Sequence, residues 1–194
     1  MALNKIKVEM MESDMATQAE LDAAVVALTA AIAASNVKLS GDVVKVAYAE
    51  TLAQTSLSAA IPRDSTIPQV GEGTQVLSLA ITPATIGNIL QVDVIAFASE
   101  QANTGDIIAV ALFQDGAANA VAVGQISAMG NGGNNLTTGY CLIRFRIAAA
   151  SLAATTFTVR AGPDSGTAIF NGSTTTATYG LKTASSITIT EIKA

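Results

Sequence analysis

Bulky side chains are scarce in this chain, and that scarcity constrains its folding more than any motif does. Of 194 residues, 37 are alanine, against five Phe, three Tyr and no Trp, so the apolar fraction of 50% overstates what a core can contain. An alanine removes little surface from water, and burial is worth only about 25 cal/mol per Å². A monomer built this way gains little from each residue it orders. Burial between subunits offsets the shortfall, so the composition favours self-association. The length suits one ordinary domain with additional material, not two full-sized cores.

The same composition disfavours most catalytic chemistry. The chain has no His, which removes Ser-His-Asp and Cys-His nucleophiles, imidazole zinc sites and the commonest general base. The glycine-rich stretch Gly130 to Gly133 lies between strand-like runs and opens no helix, so it reads as a turn rather than a phosphate cradle. Carboxylate-pair chemistry stays open on residue type, because Asp93, Glu100, Asp106, Asp115 and Asp164 lie in or between strands. A glycan hydrolase is therefore the least favoured of the readings kept, weakened by the lack of aromatic platforms. We expect a protein that is not an enzyme, with no catalytic residue, no cofactor and no bound metal.

Net charge is −5, and the basic residues form no run. Nucleic-acid binding needs clustered cations, so no nucleic acid is expected as a partner. No segment approaches the roughly 20 apolar residues of a membrane span. Met1-Ala2-Leu3-Asn4-Lys5-Ile6-Lys7 is not followed by the apolar stretch of a secretory signal, and synthesis in a cytoplasm is expected. The single cysteine, Cys141, is followed by Leu142 and Ile143 and reads as a small buried hydrophobe.

Along the chain, Ala16 to Ala34 is predicted to be helical. Thr17-Gln18-Ala19-Glu20 forms a capping box, and alanine-rich sequence follows it. Leu21, Val25, Leu28 and Ile32 recur at spacings of four, three and four, an oligomerisation seam with Val25 and Ile32 at a positions. An isolated helix of this length is marginal in water and needs a partner. β-Branched residues at a with Leu at d lean towards two strands.

From residue 37 to 73 periodicity fades, apart from a short strand-like piece at Val43 to Tyr48, and Pro62 and Pro68 favour extended chain. This segment reads as a stalk. After it come short apolar or alternating runs separated by turn residues: 75–81, 89–97, 107–114, 120–127, 140–147, 155–161, 168–171, 177–181 and 186–192. Such spacing, with no helix between, predicts an antiparallel β-sandwich, jelly-roll-like. The domains are thus a helical region at 1–36, a stalk at 37–73 and a sandwich at 74–194.

In the strand at 140–147, Cys141, Ile143, Phe145 and Ile147 share one face, and Tyr140, Leu142, Arg144 and Arg146 share the other. The first set is expected to be core. Ile192 falls out of phase in the last strand and predicts a bulge or the strand's end. The strand at 107–113 is apolar on both faces, for which a neighbouring subunit is the simplest cover. Arg144 and Arg146 are candidate contacts for a carboxylate or anionic sugar, against the plainer reading of a solvated face or an ion pair between subunits. Asn131, Asn134 and Asn135 are candidate receptor contacts in a loop. Asp115 and Asp164 read as turn residues before calcium ligands. Asn135-Leu136-Thr137 and Asn171-Gly172-Ser173 match the glycosylation sequon and are read as turns.

The segment Ile61-Pro62-Arg63-Asp64-Ser65-Thr66-Ile67-Pro68-Gln69-Val70-Gly71-Glu72-Gly73, followed by Leu79-Ala80-Ile81-Thr82-Pro83, resembles a module of bacteriophage tail-fibre and other virion surface proteins. Val110 to Asp115, Thr156 to Gly162, Phe170-Asn171-Gly172 and Ser186 to Ile192 extend the resemblance over about 61–192. It implies a homotrimer, against the two-stranded lean of the seam. It also implies a virion location, with the first 60 residues docking onto capsid or tail proteins. A short spike that decorates or stabilises the particle is the leading expectation. A tail-fibre protein that attaches to a host glycan or protein is the alternative.

Overall fold

The computed structural model describes residues 17–35, 39–100, 107–127, 138–173, 178–180 and 182–194. The chain divides into two compact units, Met1–Leu39 and Ser40–Ala194.

In the first unit, helix α1 spans Gln18–Ser35. Its start is the reciprocal box expected of Thr17 and Glu20. The Thr17 amide donates to the Glu20 carboxylate at 2.7 Å, and the Glu20 amide donates to the Thr17 hydroxyl at 3.3 Å. The backbone bond from Thr17 and then its hydroxyl hold the Glu20 carboxyl below its ordinary range. Leu21, Val25 and Leu28 are 50%, 61% and 61% exposed. Val26, about 100° further round the helix than Val25, is bare as well, so exposed apolar surface extends beyond the heptad seam.

The second unit is a β-sandwich of two antiparallel sheets. Its strands are β1 (Val43–Thr51), β2 (Thr55–Leu57), β3 (Thr74–Ile81), β4 (Ile89–Glu100), β5 (Ile107–Gln114), β6 (Ala122–Ser127), β7 (Thr138–Ala148), β8 (Thr155–Pro163), β9 (Ala168–Phe170) and β10 (Ser185–Ile192). The larger sheet has six strands. β4 pairs with β7 along one side; on the other it pairs first with β10 and then, at its far end, with β9. β1 and β2 line the outside of β10 and β9. The smaller sheet runs β3-β8-β5-β6. The pairs β1 with β10, β3 with β8, β4 with β7 and β5 with β6 nest one inside the next, as in a long hairpin rolled into a jelly roll.

The core lies between the sheets, where Val92 and Val94 of β4 and Ile187 and Ile189 of β10 meet Val110 and Leu112 of β5 and Phe157 and Val159 of β8. It is lean, as the composition requires: Phe157 and Phe170 are its only fully buried aromatics among the described residues.

Residues 40–73 are not a stalk. β1 and β2 are hydrogen-bonded members of the larger sheet. The stretch from 58 to 73 forms a strap over the outer face of the smaller one. Ile61 of the strap is 2% exposed and packs with Ala111 and Phe113. Backbone bonds tie the strap down: Ile61 N to Pro163 O at 2.9 Å, Val70 N to Ala118 O at 2.8 Å and Ala120 N to Pro68 O at 2.9 Å. Arg160 adds two more, to the carbonyls of Glu72 and Gly73 at 2.6 and 2.7 Å. The prolines lie outside any strand, in a segment that bends at 64–66 and turns after Gln69 and that follows a surface rather than crossing solvent. The strap also supplies the cover for the doubly apolar β5, so the chain itself does what a neighbouring subunit was expected to do.

Two local expectations are decided as well. In the predicted strand at 177–181, the described residues Thr178–Gly180 form a 3₁₀ turn with Tyr179 at φ 50°. The irregularity at Ile192 marks the strand's end rather than a bulge: β10 stops there, and its pairing with β4 runs unbroken from Ser186 to Ile192. Inward positions continue through Ile187 and Ile189 to Glu191, so the apolar alternation ends because a carboxylate takes the last inward place.

Candidate functional site

The side chains singled out in the sequence fall on two surfaces. Leu21, Val25 and Leu28 form the bare strip of α1; Ile32 lies in the helix, and its side chain is outside the described residues. Arg144 and Arg146 stand on β7, on the outer face of the larger sheet.

That face is built by strand alternation. Leu90, Val92 and Val94 of β4 point inward, which turns Gln91, Asp93 and Ile95 outward. On β7, Cys141 and Ile143 are buried, with Phe145 and Ile147 partly buried behind them, and Tyr140, Leu142, Arg144 and Arg146 face out. Register then aligns them: Phe97 opposite Tyr140, Ile95 opposite Leu142, Asp93 opposite Arg144 and Gln91 opposite Arg146. The Phe97 and Tyr140 rings pack at 4.9 Å between centroids. Arg144 Nε donates to Asp93 Oδ1 at 2.5 Å. Arg146 donates to the Gln91 side-chain oxygen through Nε at 2.7 Å and also through a terminal nitrogen.

The two arginines therefore do not converge on a common anion. Each is engaged by its cross-strand neighbour, so the ion pair lies within the chain. The Arg144 side chain is 67% exposed, and an exposed pair of this kind contributes about 0–1 kcal/mol. Beyond the pairs lies an apolar patch that sequence reasoning did not assemble. Leu142 is 74% exposed, with Ile95 and Tyr140 beside it, and Val46 and Tyr48 of β1 flank the same face across β10. Tyr140 and Leu142 were legible as outward. Their meeting with Ile95 and Tyr48 depends on pairings that no local pattern encodes.

Other polar residues serve the scaffold. Asp115, at φ 50°, accepts from the Thr155 hydroxyl and the Thr156 amide, both at 2.7 Å. Asp164 accepts from the Ile107 amide at 3.1 Å. Both are turn carboxylates, and no metal-holding cluster occurs among the described residues. Asn171 is buried at φ 55°. Its side-chain nitrogen donates to the Thr51 carbonyl at 2.8 Å, and its side-chain oxygen accepts from the Ser185 hydroxyl at 2.6 Å. Its side chain is closed to glycosylation in the folded chain. Asn131, Asn134 and Asn135 lie outside the described residues. No described helix is long and apolar enough to cross a membrane.

No family model matches the chain, and no curated protein matches it either. Among solved structures, it is similar to the Eiger TNF from S. frugiperda over 77% of this chain and 94% of that one, with 13% identity and a TM-score of 0.44. It is also similar to infectious bursal disease virus, Gx strain, over 81% of this chain and 39% of that one, with 12% identity and a TM-score of 0.32. Likeness this loose carries no inference about activity or partner.

Proposed function

We propose that this chain is a structural protein of a bacteriophage particle surface, working as a homotrimeric short spike. The helical unit anchors and trimerises it, and the β-sandwich stands as the exposed head. The observation that carries the oligomeric part is the bare apolar strip of α1, where Leu21, Val25 and Leu28 are half or more exposed. An 18-residue helix is marginal alone in water, and tertiary or quaternary packing of its apolar face has to stabilise it. The virion part is supported by the resemblance of 61–192 to phage surface modules.

The role is mechanical rather than catalytic. Asp115, Asp164, Asn171 and Arg160 each hold a turn, a strand junction or the strap. Light scattering on the purified chain should return three times the 19.6 kDa protomer mass; a monomer at micromolar concentration refutes the oligomer. Labelled antibody against the sandwich should decorate intact particles, and particles free of label refute the spike.

A further inference from the structure

We propose that the outer face of the larger sheet is where the sandwich meets a second copy of this chain. The inference rests on the oligomeric reading above and adds the surface through which the heads associate.

The face carries the wrong chemistry for permanent exposure. Ile95, Tyr140 and Leu142 form one apolar ridge on β4 and β7, and Val46 and Tyr48 form another on β1. Between the ridges β10 presents only Ser186, Thr188 and Thr190. Small hydroxyl side chains between larger ones leave a trough, and a shallow groove does run along Asp93, Ile95, Leu142, Arg144 and Thr188. A ridge of one copy fits the trough of another. The opposite sheet shows the contrast, because its outer face is already covered by the strap through Ile61, Ala111 and Phe113.

Charge selects the occupant. The chain as a whole is at −5, so two copies repel in general. This face is balanced, with Glu50 and Asp93 against Arg144 and Arg146. With Arg144 already paired to Asp93, the remaining signs are separated across the sheet, Glu50 on the β1 edge and Arg146 on the β7 edge. Bringing the β7 edge of one copy to the β1 edge of the next places opposite charges together. A head-to-tail contact of that kind closes into a ring when the rotation allows it. A strongly basic or acidic partner gains nothing from a neutral face, whereas an identical face offers matched apolar area and complementary rims.

The test uses the full chain. Ile95→Cys places a thiol on the face and Ile86→Cys places one on an exposed turn; native Cys141 is buried and gives little background. Maleimide should label the Ile95→Cys chain about tenfold or more slowly than the Ile86→Cys chain, since a packed interface excludes reagent. Leu142→Glu should remove that protection, and Arg146→Glu should weaken it, with Glu50→Arg restoring it in the same chain. Circular dichroism confirms that each variant is folded, and substitution at positions this exposed leaves the core intact. An oligomer whose Ile95→Cys thiol labels as fast as Ile86→Cys overturns the inference and leaves the oligomeric reading standing. A monomeric wild-type chain overturns the reading itself. Protection of Ile95→Cys that appears only in assembled particles gives the face to another virion protein and also overturns the inference.

Discussion

Gly162 of β8 lies directly beneath the carbonyl oxygen of Ala59, so close that a Cβ on Gly162 would collide with it. The same Cβ would stand 3.1 Å from the Gly73 Cα and 3.2 Å from Ile61. A single missing side chain thus lets the strap lie flat on the smaller sheet. Gly162→Ala should lift the strap and cost about 1–3 kcal/mol, the usual range for overpacking. Chemical denaturation would show it, and an unchanged midpoint would mean that the strap is not pinned there.

Ile61 tests the strap from the other side. It is 2% exposed against Ala111 and Phe113, so Ile61→Ala should cost about 2–5 kcal/mol, as buried large-to-small changes do. A loss below about 0.5 kcal/mol, the range of surface substitutions, would return the segment to the status of a tether. Limited proteolysis should then also cut within 58–73 faster in the variant than in the wild type.

Cys141 is buried on β7 where β6 passes it, and a Cβ on Gly124 would strike its sulfur. Burial pushes the Cys141 thiol up to about 11. It should resist thiol reagents at pH 8 in the native state and react once denaturant is added, because the thiolate is the reactive form. Gly124→Ala should destabilise the chain and hasten the reaction. Rapid native labelling would show that the contact between β6 and β7 opens readily.

Glu191 carries a pH dependence. Burial acts to raise its pKa, but donation from the Ala84 amide, the Asn88 side chain and the Thr85 amide, with attraction from Lys45, outweighs it and holds the carboxyl below its ordinary range. The bonds are 2.9 Å from Ala84, 2.7 Å from Asn88 and 3.2 Å from Thr85. A depressed folded value means that the stabilisation is fully present above the unfolded value near about 4.3. It fades as pH falls through the lower folded value. Glu191→Gln should cost about 1–3 kcal/mol at pH 7 and flatten the acid limb of a thermal-melt series. Equal acid sensitivity in the two proteins would assign that limb to other carboxylates.

The strip on α1 is tested by Val25→Asp with Ile32→Asp. Val25 and Ile32 belong to the helical unit and not to the sandwich, so the double variant should keep the wild-type thermal transition of the sandwich and lose oligomer mass in light scattering. Retained mass would remove the helix from assembly.

Much of this architecture was legible in the residues themselves. The capping box at Thr17 and Glu20 reported the start of α1, and alternation in 140–147 separated Cys141 and Ile143 from Leu142 and Arg144, because period and capping are local properties of a few neighbouring residues. The turn roles of Asp115 and Asp164 were read the same way. What lay beyond reach was partnership across the chain. Sequence rich in proline looks alike whether it crosses solvent or lies on a sheet, so only the packing of Ile61 on Phe113 distinguished a strap from a stalk. Nothing near Arg144 in sequence announces Asp93, because a cross-strand neighbour is chosen by register. The sequence by itself determined where the helix and most strands lie and which side of them is apolar, though it placed a strand where 178–180 turns and a stalk where 55–57 pairs in a sheet; tertiary structure decided which apolar sides the chain covers for itself and which it leaves open, since that depends on contacts between residues far apart in the chain.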